Sequence, residues 1–222
     1  TGTGSLFAIR EVVENVSIHG FSIYGNDVAN TWAFDIQGSG GAGGNSVKFY
    51  NNIVKQFGDV ATASGGAVRI AAGTNSVHVY GNLIEVNGYG VLATAPTDAL
   101  NVHSNHIGSA TGRCVDLSGE TGAAAITVQN NNLICNGGAV KTSGSGTYNI
   151  LFNEFESTAT VTNDNAAAYA FQGLGIINAV GNFAGIHGGA VEHFLPGGGS
   201  GRPARRGGDG SARRFRLLLL HW

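Results

Sequence analysis

Ser76 to Ala93, SVHVYGNLIEVNGYGVLA, decides how this chain is read. Val77 and Val79 alternate with polar residues as in a strand, Asn82 follows three residues after Val79, and Ile84 is apolar again. Beyond a glycine-rich turn a second short strand centres on Val91. The same spacing recurs at Val16-Ile18-Phe21-Ile23, Val47-Phe49-Asn52-Val54, Leu100-Val102-Asn105-Ile107, Ile126-Val128-Asn131-Leu133, Tyr148-Ile150-Asn153-Phe155 and Ile177-Ala179-Asn182-Ala184. Its third position advances by 22 to 31 residues per repeat, and self-similarity at such a period marks a solenoid.

The second strand recurs as well, a small residue followed by an apolar one and then a variable one: Ala33-Phe34-Asp35, Ala67-Val68-Arg69, Gly90-Val91-Leu92, Cys114-Val115-Asp116, Ala139-Val140-Lys141, Ala170-Phe171-Gln172 and Ala190-Val191-Glu192. Leu6-Phe7-Ala8-Ile9 fits the same column as the tail of a unit whose beginning is missing, so the first coil is expected to be truncated. No window sustains the i, i+3, i+4, i+7 pattern of a helix. A two-sheet sandwich would also give short alternating strands, but the asparagines at 52, 82, 105, 131, 153 and 182 favour stacked coils. A buried amide is costly unless paired. Coils stacked about 4.8 Å apart let each asparagine pair with the next.

These repeats and this asparagine column resemble the right-handed parallel β-helix proteins, the pectate-lyase-like superfamily, over Leu6 to about Phe194. The fold expected is all-β, a right-handed parallel β-helix (solenoid) of about seven coils over residues 1–196, followed by a disordered basic tail, 197–222. The resemblance implies polysaccharide lyases, polygalacturonases, alginate epimerases, phage tailspikes or adhesins as company. Their catalytic motifs do not carry over. Ile18-His19-Gly20 and Ile186-His187-Gly188 echo only the Gly-His-Gly of polygalacturonases, and the Asp-Pro-His-Glu of alginate epimerases is absent.

Charge bounds the partners. Residues 1–196 carry six Lys/Arg against thirteen Asp/Glu, and the tail carries six Arg against Asp209. The acidic body offers no footprint for nucleic acid, and no segment reaches the roughly 18 apolar residues of a membrane span. With no methionine in 222 residues, the chain reads as a processed product or an excised fragment. Cys114 and Cys135 fall in adjacent coils but in different columns, so two buried thiols are preferred over a disulfide. Asn15-Val16-Ser17 is a lone glycosylation sequon on a strand.

The variable column of the second strand supplies the candidate catalytic residues. Adjacent coils set Asp35 beside Arg69 and Asp116 beside Lys141, either as paired charges on a solvated face or as the acid and base of a lyase acting on a uronate. The candidate substrate-binding residues are His19, Tyr50, Tyr80 and His103, one per coil, with His78 two residues before Tyr80. Their rings are either ordinary inter-coil stacking or a platform for sugars. No cofactor or metal is implied. Calcium would need a cluster such as Asp164 between Asn163 and Asn165, which reads better as a turn. The longest excursion between strands, residues 155–168, is the place for a binding loop. Together these features give two expectations: a secreted or cell-surface domain that binds or processes a polysaccharide or cell-surface glycan, or a non-catalytic structural or adhesive segment.

Overall fold

The computed structural model describes residues 4–9, 15–37, 46–62, 64–71, 74–94, 97–119, 125–142, 147–157, 171–172 and 176–186. The tail 197–222, His187, Glu192, the Asp164 cluster and most of the 155–168 excursion lie outside the described residues.

One repeat makes one coil of three strands, seen in Thr74–Tyr80, Leu83–Val86 and Tyr89–Ala93. The equivalent strands of successive coils pair in parallel to form three sheets: sheet A from the Tyr89–Ala93 type, sheet B from the Thr74–Tyr80 type and sheet C from the Leu83–Val86 type. The molecule is therefore a parallel β-solenoid. The apparent single strand Val77 to Ile84 is two, because the residue before each asparagine takes a left-handed conformation and turns the chain from sheet B to sheet C. Gly81 does so with φ 64°, and Asn51, Ser104, Asn130 and Phe152 do so with φ between 53° and 56°.

Each sheet holds seven strands among the described residues, yet the solenoid closes for about five turns rather than the expected seven. Five ladder asparagines, Asn52, Asn82, Asn105, Asn131 and Asn153, are buried. At the ends of the described ladder, Phe21 is exposed and Asn182 half-buried. The interior fills with stacks of like residues, such as Val47, Val77, Leu100, Ile126 and Tyr148 from sheet B and Val54, Ile84, Ile107, Leu133 and Phe155 from sheet C. In parallel strands at about 4.8 Å spacing, each side chain sits against its counterpart one coil away.

The asparagines satisfy themselves as a ladder. Asn105 Oδ1 accepts from the backbone N–H of Asn82 at 3.0 Å and from its Nδ2 at 2.9 Å. Asn105 Nδ2 donates to Val79 O at 2.9 Å and to Asn131 Oδ1 at 3.0 Å. The pattern repeats from Asn52 to Asn182. Each of the five buried ladder amides is thus paired with the coils on either side.

The cysteines depart from expectation: Cys114 and Cys135 form a disulfide with Cα atoms 5.6 Å apart. Cys135 ends a sheet C strand and stacks on Ser109, while Cys114 lies just past the turn that follows Ser109. Crossing the corner brings together residues that belong to different columns. Closing a loop of sequence separation 21 is worth about 3 kcal/mol. Replacing both cysteines by alanine is expected to lower unfolding stability by about that amount, read as a drop in urea midpoint.

Phe152 offers the opposite change. Held at φ 53° and 59% exposed, it takes a backbone conformation unfavourable to a bulky side chain. Asn51 and Asn130 occupy the equivalent turns, so Phe152→Asn is expected to raise stability by about 0.5–1 kcal/mol, with the same urea titration as readout.

Candidate functional site

The sheet A column follows the expected register: Asp35 lies beside Arg69, and Asp116 beside Lys141. What differs is exposure. Asp35 is 0% exposed and Asp116 is buried too, so neither stands on a solvated face. Asp35 Oδ1 accepts from Arg69 Nε at 2.8 Å, and Oδ2 accepts from Arg69 Nη2 at 2.5 Å, from Ser5 Oγ at 2.8 Å and from Gln37 Nε2. The guanidinium also lies 5.4 Å from the centre of the Trp32 ring. Trp32 and Tyr89 flank Gly66 in register, and their ring centres lie 6.4 Å apart; a Cβ at Gly66 would run into the Tyr89 backbone, so only glycine fits between them.

Burial alone pushes the Asp35 carboxyl up, but hydrogen bonds from Arg69, Gln37 and Ser5, with the Arg69 charge, outweigh it and hold the group below its ordinary value. The hydrogen bonds that Arg69 donates to Asp35 in turn hold the guanidinium above its own ordinary value. A guanidinium so fixed is poorly suited to take up a proton.

At the second pair, Asp116 Oδ2 lies 4.0 Å from Lys141 Nζ and 3.4 Å from Arg113 Nη1. Its Oδ1 accepts the backbone N–H of Ser118 at 3.0 Å. Arg113, three residues before Asp116, was not picked out from sequence because it precedes the repeat column. Leu92 sits between Arg69 and Asp116 in register. Arg69 and Lys141 are therefore three coils apart, about 14 Å.

On the outer face of sheet B the ring residues form a continuous stack. His19 faces Tyr50 at 4.6 Å, Tyr50 faces Tyr80 at 4.8 Å and Tyr80 faces His103 at 4.9 Å, with interplanar angles of 17°, 3° and 4°. Because the ring faces meet one another, the row turns its edges outward. A sugar is offered hydroxyls and imidazole nitrogens there, not a flat aromatic platform. Lys48, His78 and Asn101 align in the neighbouring column, and His78 Nε2 lies 2.9 Å from Ser76 Oγ. Burial, then the charges of Lys48 and His103, push His78 below its ordinary value; burial does the same to His103. The shift favours the neutral ring at both positions, a form that can donate and accept.

Sheet C went unrecognised in the sequence as a separate sheet, and its outer residues with it. There Lys55 Nζ meets Glu85 Oε2 at 2.6 Å, both partly exposed. Among the described residues no group of three or more His, Cys, Asp or Glu is arranged to hold a metal ion, and no helix is long and apolar enough to cross a membrane.

Set beside known proteins, the chain matches no family model, no curated protein and no solved structure.

Proposed function

We propose that the chain is a right-handed parallel β-helix of the pectate-lyase-like kind, secreted or held at a cell surface, that binds a polysaccharide along the outer face of sheet B without cutting it. The observation that carries this reading is the stacked row His19, Tyr50, Tyr80 and His103 beside Lys48, His78 and Asn101. It repeats hydrogen-bonding edges once per coil, about every 4.8 Å, a spacing close to the rise of one sugar in an extended glycan. Donors and acceptors on a fixed, flat lattice are what a chain of hydroxyls requires.

Export is supported by the Cys114–Cys135 disulfide, since such bonds persist mainly in oxidising compartments. The right-handed winding is the hand strongly favoured for crossovers between parallel strands. Against catalysis stands the closed Asp35–Arg69 clamp, which removes one of the two nominated bases. Lys141, partly exposed and 4.0 Å from Asp116, is the remaining one. The same clamp favours the second reading, a structural or adhesive segment with no ligand on sheet A.

Titrating the protein with pectin, alginate and neutral glycans separates these readings. Binding to at least one is expected, weakened about tenfold or more by Tyr80→Ala, with no release of unsaturated product. Failure to bind any of them would remove the glycan reading and leave the structural one. Product release lost in Lys141→Ala would show a lyase instead.

A further inference from the structure

We propose that a groove on the outer face of sheet C is a second, separate sugar-binding site, one that takes a neutral linear oligosaccharide running parallel to the solenoid axis. It does not depend on the sheet B surface. Its volume is about 520 Å³, within the usual range of small-ligand sites. Tyr24, Lys55, Glu85 and Gly108 line it from four successive coils in one register, a span of about 14 Å.

The chemistry at each position is complementary. Tyr24 is 62% exposed, and among the described residues its ring is stacked on no other, unlike Tyr50 and Tyr80. Its face is free to take the C–H side of a pyranose. Lys55 and Glu85 neutralise each other at 2.6 Å, so the floor gives an ammonium donor and a carboxylate acceptor with no net charge, suited to neighbouring hydroxyls and indifferent to a free anion. Asn87 closes the wall, its Nδ2 donating to Asp27 Oδ1 at 2.5 Å, which holds the amide in place.

Gly108 provides the depth. Between Glu85 and Ile134 in register it leaves a notch flanked on both sides by coils that carry side chains. A Cβ there would meet nothing closer than Ile84 O at 3.8 Å and Ile134 O at 3.9 Å. The space is open, and a side chain fits without disturbing the backbone. Gly108→Val therefore fills the groove while keeping a strand residue in a strand.

The test is calorimetric titration of the whole chain with cello-, xylo- and manno-oligosaccharides, using native protein, Gly108→Val, Tyr24→Ala and Tyr80→Ala, each checked for native circular dichroism. At least one oligosaccharide is expected to bind, with affinity reduced at least tenfold by Gly108→Val and by Tyr24→Ala. Tyr24 is exposed, so its truncation keeps the test valid should Gly108→Val fold poorly. No binding by any of these oligosaccharides, or binding that neither groove variant weakens, overturns the proposal. Loss in Tyr80→Ala alone would overturn it too, while placing the ligand on sheet B.

Discussion

Asn105→Ala is expected to cost about 3–5 kcal/mol of stability, far more than the truncation of one polar side chain at a surface. The change strips the acceptor from two buried donors, the backbone N–H and the Nδ2 of Asn82, and removes a donor from Val79 O and Asn131 Oδ1. A buried group left without its partner costs about 1–3 kcal/mol. Asn182→Ala provides the comparison: this residue is half-buried at the end of the ladder, so solvent replaces part of what is lost and the cost falls to about 1 kcal/mol. Urea titration of both variants gives the measurement. Equal, small losses would show that the ladder contributes packing and not hydrogen bonding.

Arg69→Ala is expected to cost about 3 kcal/mol near neutral pH, the low end for a broken buried pair because Arg69 is itself partly exposed. Its signature is in the pH dependence. In the native protein the Asp35 carboxyl is held below its ordinary value, so its contribution is fully present above about pH 4, the unfolded value. That contribution is lost as pH falls through the lower folded value. Without Arg69 only the hydrogen bonds from Gln37 and Ser5 oppose burial, the largest influence on the group, and the carboxyl is expected to move above its unfolded value. The variant is then destabilised progressively as pH rises past about 4. Stability measured between pH 3 and 8 should converge at the acid end and diverge toward neutrality. A gap that stayed constant with pH would mean that Arg69 acts through its packing on Trp32 and not through its charge. Asp35→Asn placed in the Arg69→Ala background should recover much of the loss at pH 7.

The solenoid was legible because its most telling residue is the same in six coils: an asparagine that must be inside is recognisable by identity as well as by spacing. The columns around Asp35 and Tyr80 followed from the same alignment, since parallel register converts sequence offset directly into adjacency. The third sheet was hidden because the turn that creates it is made by one left-handed residue, filled by Gly81, Asn51, Ser104, Asn130 or Phe152. A position with so many occupants leaves no motif. The burial of Asp35 was hidden for another reason. Ser5 comes from the coil before it and Arg69 from the coil after it, with Gln37 and Trp32 from its own, so its cover is assembled across coils and is not written in its own strand. The disulfide escaped because columns describe neighbours along the axis, whereas Cys114 and Cys135 meet across a corner.

That corner also alters how the molecule would answer a mechanical load. The ladder bonds run along the axis and join each coil to the next, so a pull on the two ends strips coils in sequence, each yielding slack as it comes away. Between Cys114 and Cys135 a covalent link shortcuts the chain, and the residues it encloses stay out of reach of the force until a reductant opens them. A reducing environment would thus lengthen the extended chain without changing a single surface residue.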